Sequence, residues 1–305
     1  MKKVLVIAGP TAVGKSAFAI EAAKRLNGIV ISGDSIQVYR GFDIGSGKIT
    51  EREMQGIPHY LLDVKDAHEP YSVADFQTMA RAVIDNSEQL PIICGGTGLY
   101  LKACLYDYDF CEEAGERVDI ELERYSSDEL WAMLKVLDEK QAEKVHPHNR
   151  RRLLRSLTII RSTGRKQSEL HDAQEHQPIY DMFIAGCTMD REALYARIDQ
   201  RVEGMFADGL EQEIRNLLSR GVTFDDQPMQ GIGYKEWKPY FEGKSTIEEV
   251  KAEIQKHSHQ FAKRQYTWLN HQMPVHWFSV LDEEEREKML QEIEGWYHDE
   301  CQKAV

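Results

Sequence analysis

Gly9-Pro10-Thr11-Ala12-Val13-Gly14-Lys15-Ser16 sets two glycines, a lysine and a hydroxyl at the spacing G-x-x-x-x-G-K-S. That spacing suits a phosphate cradle. Gly9 and Gly14 permit backbone angles and close approach that a Cβ would forbid. Loop N–H groups and the positive end of a following helix then face the phosphate oxygens. Lys15 adds a point charge, and Ser16 offers a hydroxyl to Mg2+. The loop by itself leaves open whether the phosphate belongs to a nucleotide or to another molecule.

Further residues could act on such a ligand. Asp34 follows a short apolar run, in Ser32-Gly33-Asp34-Ser35. A carboxylate there can take a proton or bind Mg2+ through water, and it can equally cap the next segment. Pro91-Ile92-Ile93-Cys94 runs into a second glycine turn, Gly95-Gly96-Thr97-Gly98, with no acid at its end. A P-loop NTPase usually holds Mg2+ with an acid there, so its absence weakens an ATPase reading. Arg197 and Arg201 lie four apart and can fork onto phosphate, or pair with Asp199, Glu203 or Asp208 at the surface.

Three segments carry basic or aromatic character. Between Pro147 and Ser168 there is no acid, against Arg150, Arg151, Arg152, Arg155, Arg161, Arg165 and Lys166. Uncompensated charge of this kind points to a polyanion. Gly231-Ile232-Gly233-Tyr234-Lys235-Glu236 could approach an RNA backbone and stack a base on Tyr234, or be a tight turn. Lys263 to Trp268 is basic and aromatic on a helix, where a core Trp with snorkelling ends is as good a reading. His146, His148, His257, His259 and His271 show no metal-ligand spacing.

The elements that must position these groups alternate at first. Strands are expected at Val4–Ala8, Ile29–Ile31 and Pro91–Cys94, with helices at Ala17–Leu26 and Val73–Asn86. Alternation implies an α/β fold with a parallel sheet, whose ligands sit beyond the carboxyl ends of the strands. Residues 9–16, 32–37 and 95–98 then share one edge. From 111 to 180 charged helical segments replace strands, so we expect a helical insertion domain between core segments 1–110 and 181–305. Phe183–Gly186 returns as a strand. Apolar residues from Leu194 to Leu217, at steps of three and four, predict one long helix ending at Gly221. Ile247–Leu269 reads as a helix, Pro274–Phe278 as a last strand, and the acidic tail as a solvated helix.

Bulk properties exclude several classes. A net charge of −13 disfavours nonspecific coating of nucleic acid. Five scattered cysteines without a C-x-x-C pair disfavour zinc and disulfide frameworks. No signal-like window and no run of eighteen apolar residues appears, so the expectation is a cytoplasmic protein without membrane association.

Taken in order, GPTAVGKS (9–16), DSIQVYRGFDIGSGK (34–48), HYLLDV (59–64), YSVADF (71–76), GGTGLY (95–100), HPHNRRRLLRSL (146–157), RIDQRV (197–202), GIGYKE (231–236) and KRQYTWL (263–269) closely resemble the bacterial tRNA dimethylallyltransferases. The resemblance implies a P-loop NTPase-like core and transfer of a dimethylallyl group from dimethylallyl diphosphate to N6 of the adenosine 3′-adjacent to the tRNA anticodon. It implies that residues 9–16 hold the donor's diphosphate in place of ATP. Asp34 is then the general base, Thr11 stands near the bridging oxygen of the leaving diphosphate, and Arg201 binds that diphosphate. Lys15 and Ser16 complete the phosphate and Mg2+ site. Asp34, Ser35, Ile36, Gln37, Thr97, Arg117, Arg151, Arg152, Leu153, Leu154, Arg155 and Gly231, Ile232, Gly233, Tyr234, Lys235, Glu236 map onto tRNA-contacting positions. A monomer is expected.

The sequence departs from the family at Leu137-Asp138-Glu139-Lys140, where Asp-Pro-Glu is usual, at Asn149 in place of Asp, and at Thr158 in place of Glu. The competing classes are a P-loop small-molecule kinase, a noncatalytic RNA-binding GTPase-like module, and an adenine-nucleotide prenyltransferase. No N-K-x-D motif supports the second, and the basic helix favours tRNA over a free nucleotide.

Overall fold

Six short strands among the described residues pair, all in parallel, into one sheet ordered β3-β2-β4-β1-β5-β6. This computed structural model describes residues 1–108, 119–172 and 177–299. Arg117, Cys111 and Cys301 lie outside the described residues.

β1 (Lys3–Ala8) is the centre of the sheet and shows how it is made. Val4, Val6 and Ala8 point into one hydrophobic cluster, and Leu5 and Ile7 into another on the opposite face. A strand covered on both faces needs continuous apolar residues, and this one has them. The helix α1 (Lys15–Leu26) follows, then β2 (Gly28–Ser32), α2 (Glu51–Met54) and β3 (His59–Tyr60). α3 (Val73–Asn86), β4 (Leu90–Gly95) and α4 (Gly98–Leu105) complete the first half. β3 is two residues long, too short for a periodic signal.

The chain then forms a second compact unit, residues 107–177, while 1–106 and 178–305 make the first. The second unit holds α5 (Ser127–Leu137), α6 (Glu139–Lys144), α7 (Arg150–Thr163) and α8 (Gln167–Asp172). It has its own core of Leu122, Leu130, Leu134, Val145, Leu153 and Leu157. Two of the departures are accommodated locally. Asn149 caps α7 by accepting from Arg152 N at 3.3 Å. Asp138 caps α6 and accepts from Ser168 N and Oγ at 2.8 and 2.6 Å. Burial pushes this carboxyl up, but those hydrogen bonds outweigh it and leave it below its ordinary value.

The core resumes with β5 (Asp181–Thr188) and α9 (Arg191–Ala207). The single long helix expected from 194 to 217 is in fact two. α9 stops at Asp208, Gly209 turns left-handed at φ 94°, and α10 (Leu210–Ser219) sets off anew. The apolar spacing carried across the break by coincidence, while Gly209 supplied the stop. α11 (Lys238–Phe241), α12 (Ile247–Gln272), β6 (His276–Ser279) and α13 (Glu283–His298) follow. α13 is not the solvated helix that its acids suggested. Met289, Leu290 and Ile293 bury one face against the sheet cluster, and Arg25 forks onto Glu287 at 3.0 and 2.6 Å. Among the described residues no helix is long and apolar enough to cross a membrane.

Candidate active site

The sheet order places β2, β4 and β1 side by side, so the segments after them share one edge. Close backbone contact locks them there. A Cβ on Gly95 would stand 2.7 Å from Gly33 O, and a Cβ on Gly9 2.6 Å from Cys187 O. Gly33 N donates to Cys94 O at 2.8 Å, carrying Asp34 to the edge.

The loop 9–16 wraps at this edge with three left-handed residues, Gly9 (φ 144°), Ala12 (φ 63°) and Gly14 (φ 105°). Gly14 is the N-cap of α1 and makes no side-chain cap, and the first turn holds no acid. α4, which begins at the second glycine turn, is alike: Thr97 makes no side-chain cap and no acid follows. The other described helices of eight or more residues begin with a side-chain cap, an acid, or both. Two helix N-termini at one sheet edge thus keep free N–H groups and uncompensated positive ends, the arrangement that binds an anion.

Three cations, Lys15, Arg197 and Arg201, line a cleft of ≈ 330 Å3 there, with Ala12, Gly14, Ser16, Ala17 and Gln200; Lys15 and Arg201 are held from within. Lys15 Nζ donates to Pro10 O at 2.6 Å. Arg201 Nη2 donates to Ser46 O at 3.1 Å and Gly47 O at 3.5 Å. Neither forms an ion pair among the described residues, so the surface pairing weighed for Arg201 does not occur. Burial lowers both pKa values; for Lys15 the charge of Arg201 lowers it further, while Cys94, Cys187 and Asp34 oppose the shift. An anion entering the cleft would restore what burial removes. Burial also raises the Cys94 thiol, against the charge of Lys15 and a hydrogen bond with Ser16. It is a neutral thiol where an NTPase would set its acid.

Asp34 caps the segment that follows it, one of the roles the sequence allowed. Its Oδ1 accepts from Ile36 N at 2.8 Å and Gln37 N at 3.2 Å, which fixes the turn. Its Oδ2 makes no hydrogen bond among the described residues. Gln37 is itself tied to Ser32 Oγ at 3.2 Å.

Gln265 of α12 is a site residue to which sequence reasoning gave no role. It is buried, and its Oε1 accepts from Thr11 N at 2.9 Å. Its amide also fills the space beside Gly96, where a Cβ would collide with it. One side chain therefore joins the two glycine loops. A polar residue on the apolar face of α12, between Ala262 and Leu269, was the available signal. Trp268 on the same helix packs on Gly98, which cannot carry a Cβ.

The segment Gly231–Glu236 differs from the expectation. Tyr234 is wholly buried, and its hydroxyl donates to Glu213 Oε1 at 2.8 Å, so its ring cannot stack on an incoming base. Glu236 is buried too and accepts from Gly233 N at 2.9 Å, with His257 Nδ1 at 2.7 Å. Lys235 is exposed. In the second unit Leu153 and Leu154 likewise face the core. Arg150 caps carbonyls of Glu123 and Tyr125, and Arg161 pairs with Asp119 at 2.7 Å, so both are structural. Arg151, Arg152 and Arg155 are exposed and, among the described residues, unpaired.

The donor set fits Mg2+ only with help from a ligand. No group of three His, Cys, Asp or Glu able to hold a metal occurs among the described residues. Ser16, exposed at the start of α1, would offer one oxygen. That suits an ion that keeps its waters and takes its other ligands from a phosphate chain.

The family model described as IPP transferase matches residues 37–272. The tRNA dimethylallyltransferase of Anoxybacillus flavithermus is 47% identical over 305 residues, covering 97% of this chain and 98% of that protein. The tRNA isopentenylpyrophosphate transferase of Bacillus halodurans is similar in structure, with a TM-score of 0.74, 40% identity and 97% of each chain covered. A eukaryotic dimethylallyltransferase solved acting on tRNA gives a TM-score of 0.82 at 30% identity, over 96% of this chain and 78% of that one. With the anion cleft, the carboxylate beside it and these likenesses over nearly the whole chain, the protein belongs to the IPP transferase family.

Proposed function

We propose that this chain transfers a dimethylallyl group from dimethylallyl diphosphate to N6 of the adenosine 3′-adjacent to the tRNA anticodon, releasing diphosphate. The observation that carries the reading is the cleft itself. Burial lowers the pKa of Lys15 and Arg201 there without an ion pair among the described residues, beside an Asp34 whose second oxygen makes no hydrogen bond among them. The cleft is built for a leaving anion, with a base next to it, and lacks the strand-end acid of an ATPase.

In the reaction the adenine nitrogen attacks C1 of the dimethylallyl group as the C1–O bond to diphosphate breaks. The allylic carbon gains cationic character and the bridging oxygen gains negative charge. Residues 9–16, Lys15 and Arg201 hold that charge, and Thr11 faces the bridging oxygen. Each preorganised donor of this kind is typically worth ~3–4 kcal/mol. Ser16 would help to hold Mg2+ beside the diphosphate, and the ion would supply further neutralisation of the leaving group. Asp34 Oδ2 takes the proton that N6 must lose. Residues 34–37, Thr97 and Lys235 serve the RNA on the first unit, and Arg151, Arg152 and Arg155 on the second. Extrusion of the adenosine from its loop lets a recessed site reach it.

The deciding experiment is incubation with labelled dimethylallyl diphosphate and unmodified tRNA. Label should appear on the tRNA with diphosphate released. ATP turnover onto a small acceptor, with no label on tRNA, would overturn the reading in favour of a kinase. Prenylation of AMP in preference to tRNA would place the acceptor among free nucleotides.

A further inference from the structure

Glu213 is a buried carboxylate that the chemistry above does not use. It lies on α10, 9% exposed. Its Oε2 accepts from Asp43 N at 3.0 Å and Ile44 N at 2.7 Å. Its Oε1 accepts from Gly45 N at 3.1 Å and from the Tyr234 hydroxyl at 2.8 Å. Four donors thus converge on one carboxylate, and no cation pairs with it among the described residues. Three successive amides curl round it as amides curl round a phosphate. Isolated charge is costly to bury, so the fold keeps it only with its donors in place.

The residues held this way are next to Arg201. Ser46 and Gly47, the carbonyl acceptors of Arg201 Nη2, directly follow the three amides. Ser46 N donates to the Tyr234 hydroxyl at 3.0 Å, so that hydroxyl braces both Glu213 and the loop. Burial and the charge of Glu213 hold the Tyr234 phenol well above its ordinary pKa, which keeps it a donor. Glycine is required twice. A Cβ on Gly45 would strike the Tyr234 ring at 2.6 Å, and one on Gly47 (φ 58°) would overlap the Arg201 guanidinium. Arg201 forms no ion pair among the described residues, so these two carbonyls set where its guanidinium stands.

We propose that Glu213 is a positioning residue for the anion cleft: it fixes loop 43–47, and through the carbonyls of Ser46 and Gly47 it fixes Arg201. The role deepens the proposed function, on which it rests for the identity of the anion. In Glu213→Gln an amide N–H2 faces backbone N–H donors, and the loop loses its anchor. In Tyr234→Phe only the brace is lost.

The test is the affinity for inorganic diphosphate, with the KM for dimethylallyl diphosphate and for tRNA measured beside it. Glu213→Gln should weaken diphosphate binding and raise the prenyl donor KM about tenfold, with the tRNA KM changed less than about twofold. Tyr234→Phe should move the same way by a smaller factor, and it decides the matter if Glu213→Gln does not fold. In an Arg201→Ala background Glu213→Gln should add nothing further to the loss of diphosphate affinity, because the two act through one contact. Wild-type diphosphate affinity in both variants, or an undiminished effect without Arg201, would overturn the proposal. A wild-type protein that binds diphosphate yet never labels tRNA would refute the prenyl transfer reading and leave the role of Glu213 to the binding data.

Discussion

Two sets of basic side chains in this molecule are in opposite physical states. Lys15 and Arg201 are desolvated, lowered in pKa by burial and bonded to backbone carbonyls. Arg151, Arg152 and Arg155 stand exposed on α7 and unpaired among the described residues. The first pair has already met its desolvation cost during folding and is fixed in direction. It suits one anion in one place and can stabilise charge that appears during a reaction. The second set keeps its hydration and rotamer freedom. It suits a polyanion whose counterions it displaces, and its attraction fades with salt. Changes in the cleft belong in kcat, and changes on α7 in affinity and its salt dependence.

The strongest way to break that division is at Asp34. Asp34→Asn, which keeps an oxygen to accept from Ile36 N and Gln37 N, should lower transfer by about 10²–10⁴, the range of a lost general base, while tRNA affinity stays nearly intact. Arg201→Ala should cost about 10²–10³ for lost leaving-group stabilisation. Single-turnover transfer measured beside tRNA binding checks both. An Asp34 variant that loses RNA affinity and keeps its turnover would move this residue to the binding side.

The complementary change is Arg151→Ala with Arg155→Ala. Removing the partners of two phosphates in a single-stranded or loop region should reduce the slope of log K against log salt by about 1.4 and weaken tRNA binding roughly tenfold at moderate salt. Single-turnover transfer at saturating tRNA should hardly change. An unaltered slope would make α7 a solvated face and end the comparison.

How legible each side was in the sequence follows from how local its physics is. The phosphate loop could be read because its glycines, lysine and hydroxyl act within eight residues. The parallel sheet followed from continuous apolar runs such as Val4–Ala8. Arg201 was visible in type, but whether it paired outward or inward depended on loop 43–47, some 155 residues earlier. The break at Gly209 was hidden because Leu210, Ile214 and Leu217 continued the apolar spacing of α9. Tyr234 was misread for a related reason. A tyrosine between a glycine and a lysine looks free to stack, and the carboxylate that claims its hydroxyl comes from α10. Long-range partners of polar side chains, Gln265 on Thr11 among them, leave no periodic trace.

Gln265 sharpens the cleft side of the comparison. Gln265→Met keeps the bulk between the two glycine loops and removes the acceptor for Thr11 N. Transfer should fall about tenfold in kcat, the scale of one lost hydrogen bond at a buried amide. Gln265→Glu, which keeps an acceptor, should recover part of it. Equal losses in both would mean that the residue acts by packing alone.

The smallest effect is a proton. Burial depresses Lys15 from its ordinary 10.5, so between the depressed value and 10.5 the free protein carries a neutral amine. The unfolded chain holds the proton in that window, so this residue's cost to stability, fully present at lower pH, is relieved as pH rises through the folded pKa. Diphosphate acts in the opposite sense. Bound beside Nζ it favours the charged amine and raises the pKa again, so binding takes up to about one proton and weakens as pH rises across the window. Calorimetric titration with inorganic diphosphate in two buffers of different ionisation enthalpy reads this uptake. Lys15→Met should remove it, and the difference between the two proteins cancels protons that diphosphate itself exchanges. The Arg151 and Arg155 variant should take up the same number as the wild type, since those side chains stand exposed on α7 and do not line the cleft. Equal uptake in wild type and Lys15→Met would mean that Lys15 is already charged in the free cleft, and that burial separates the two sets of cations in position but not in charge state.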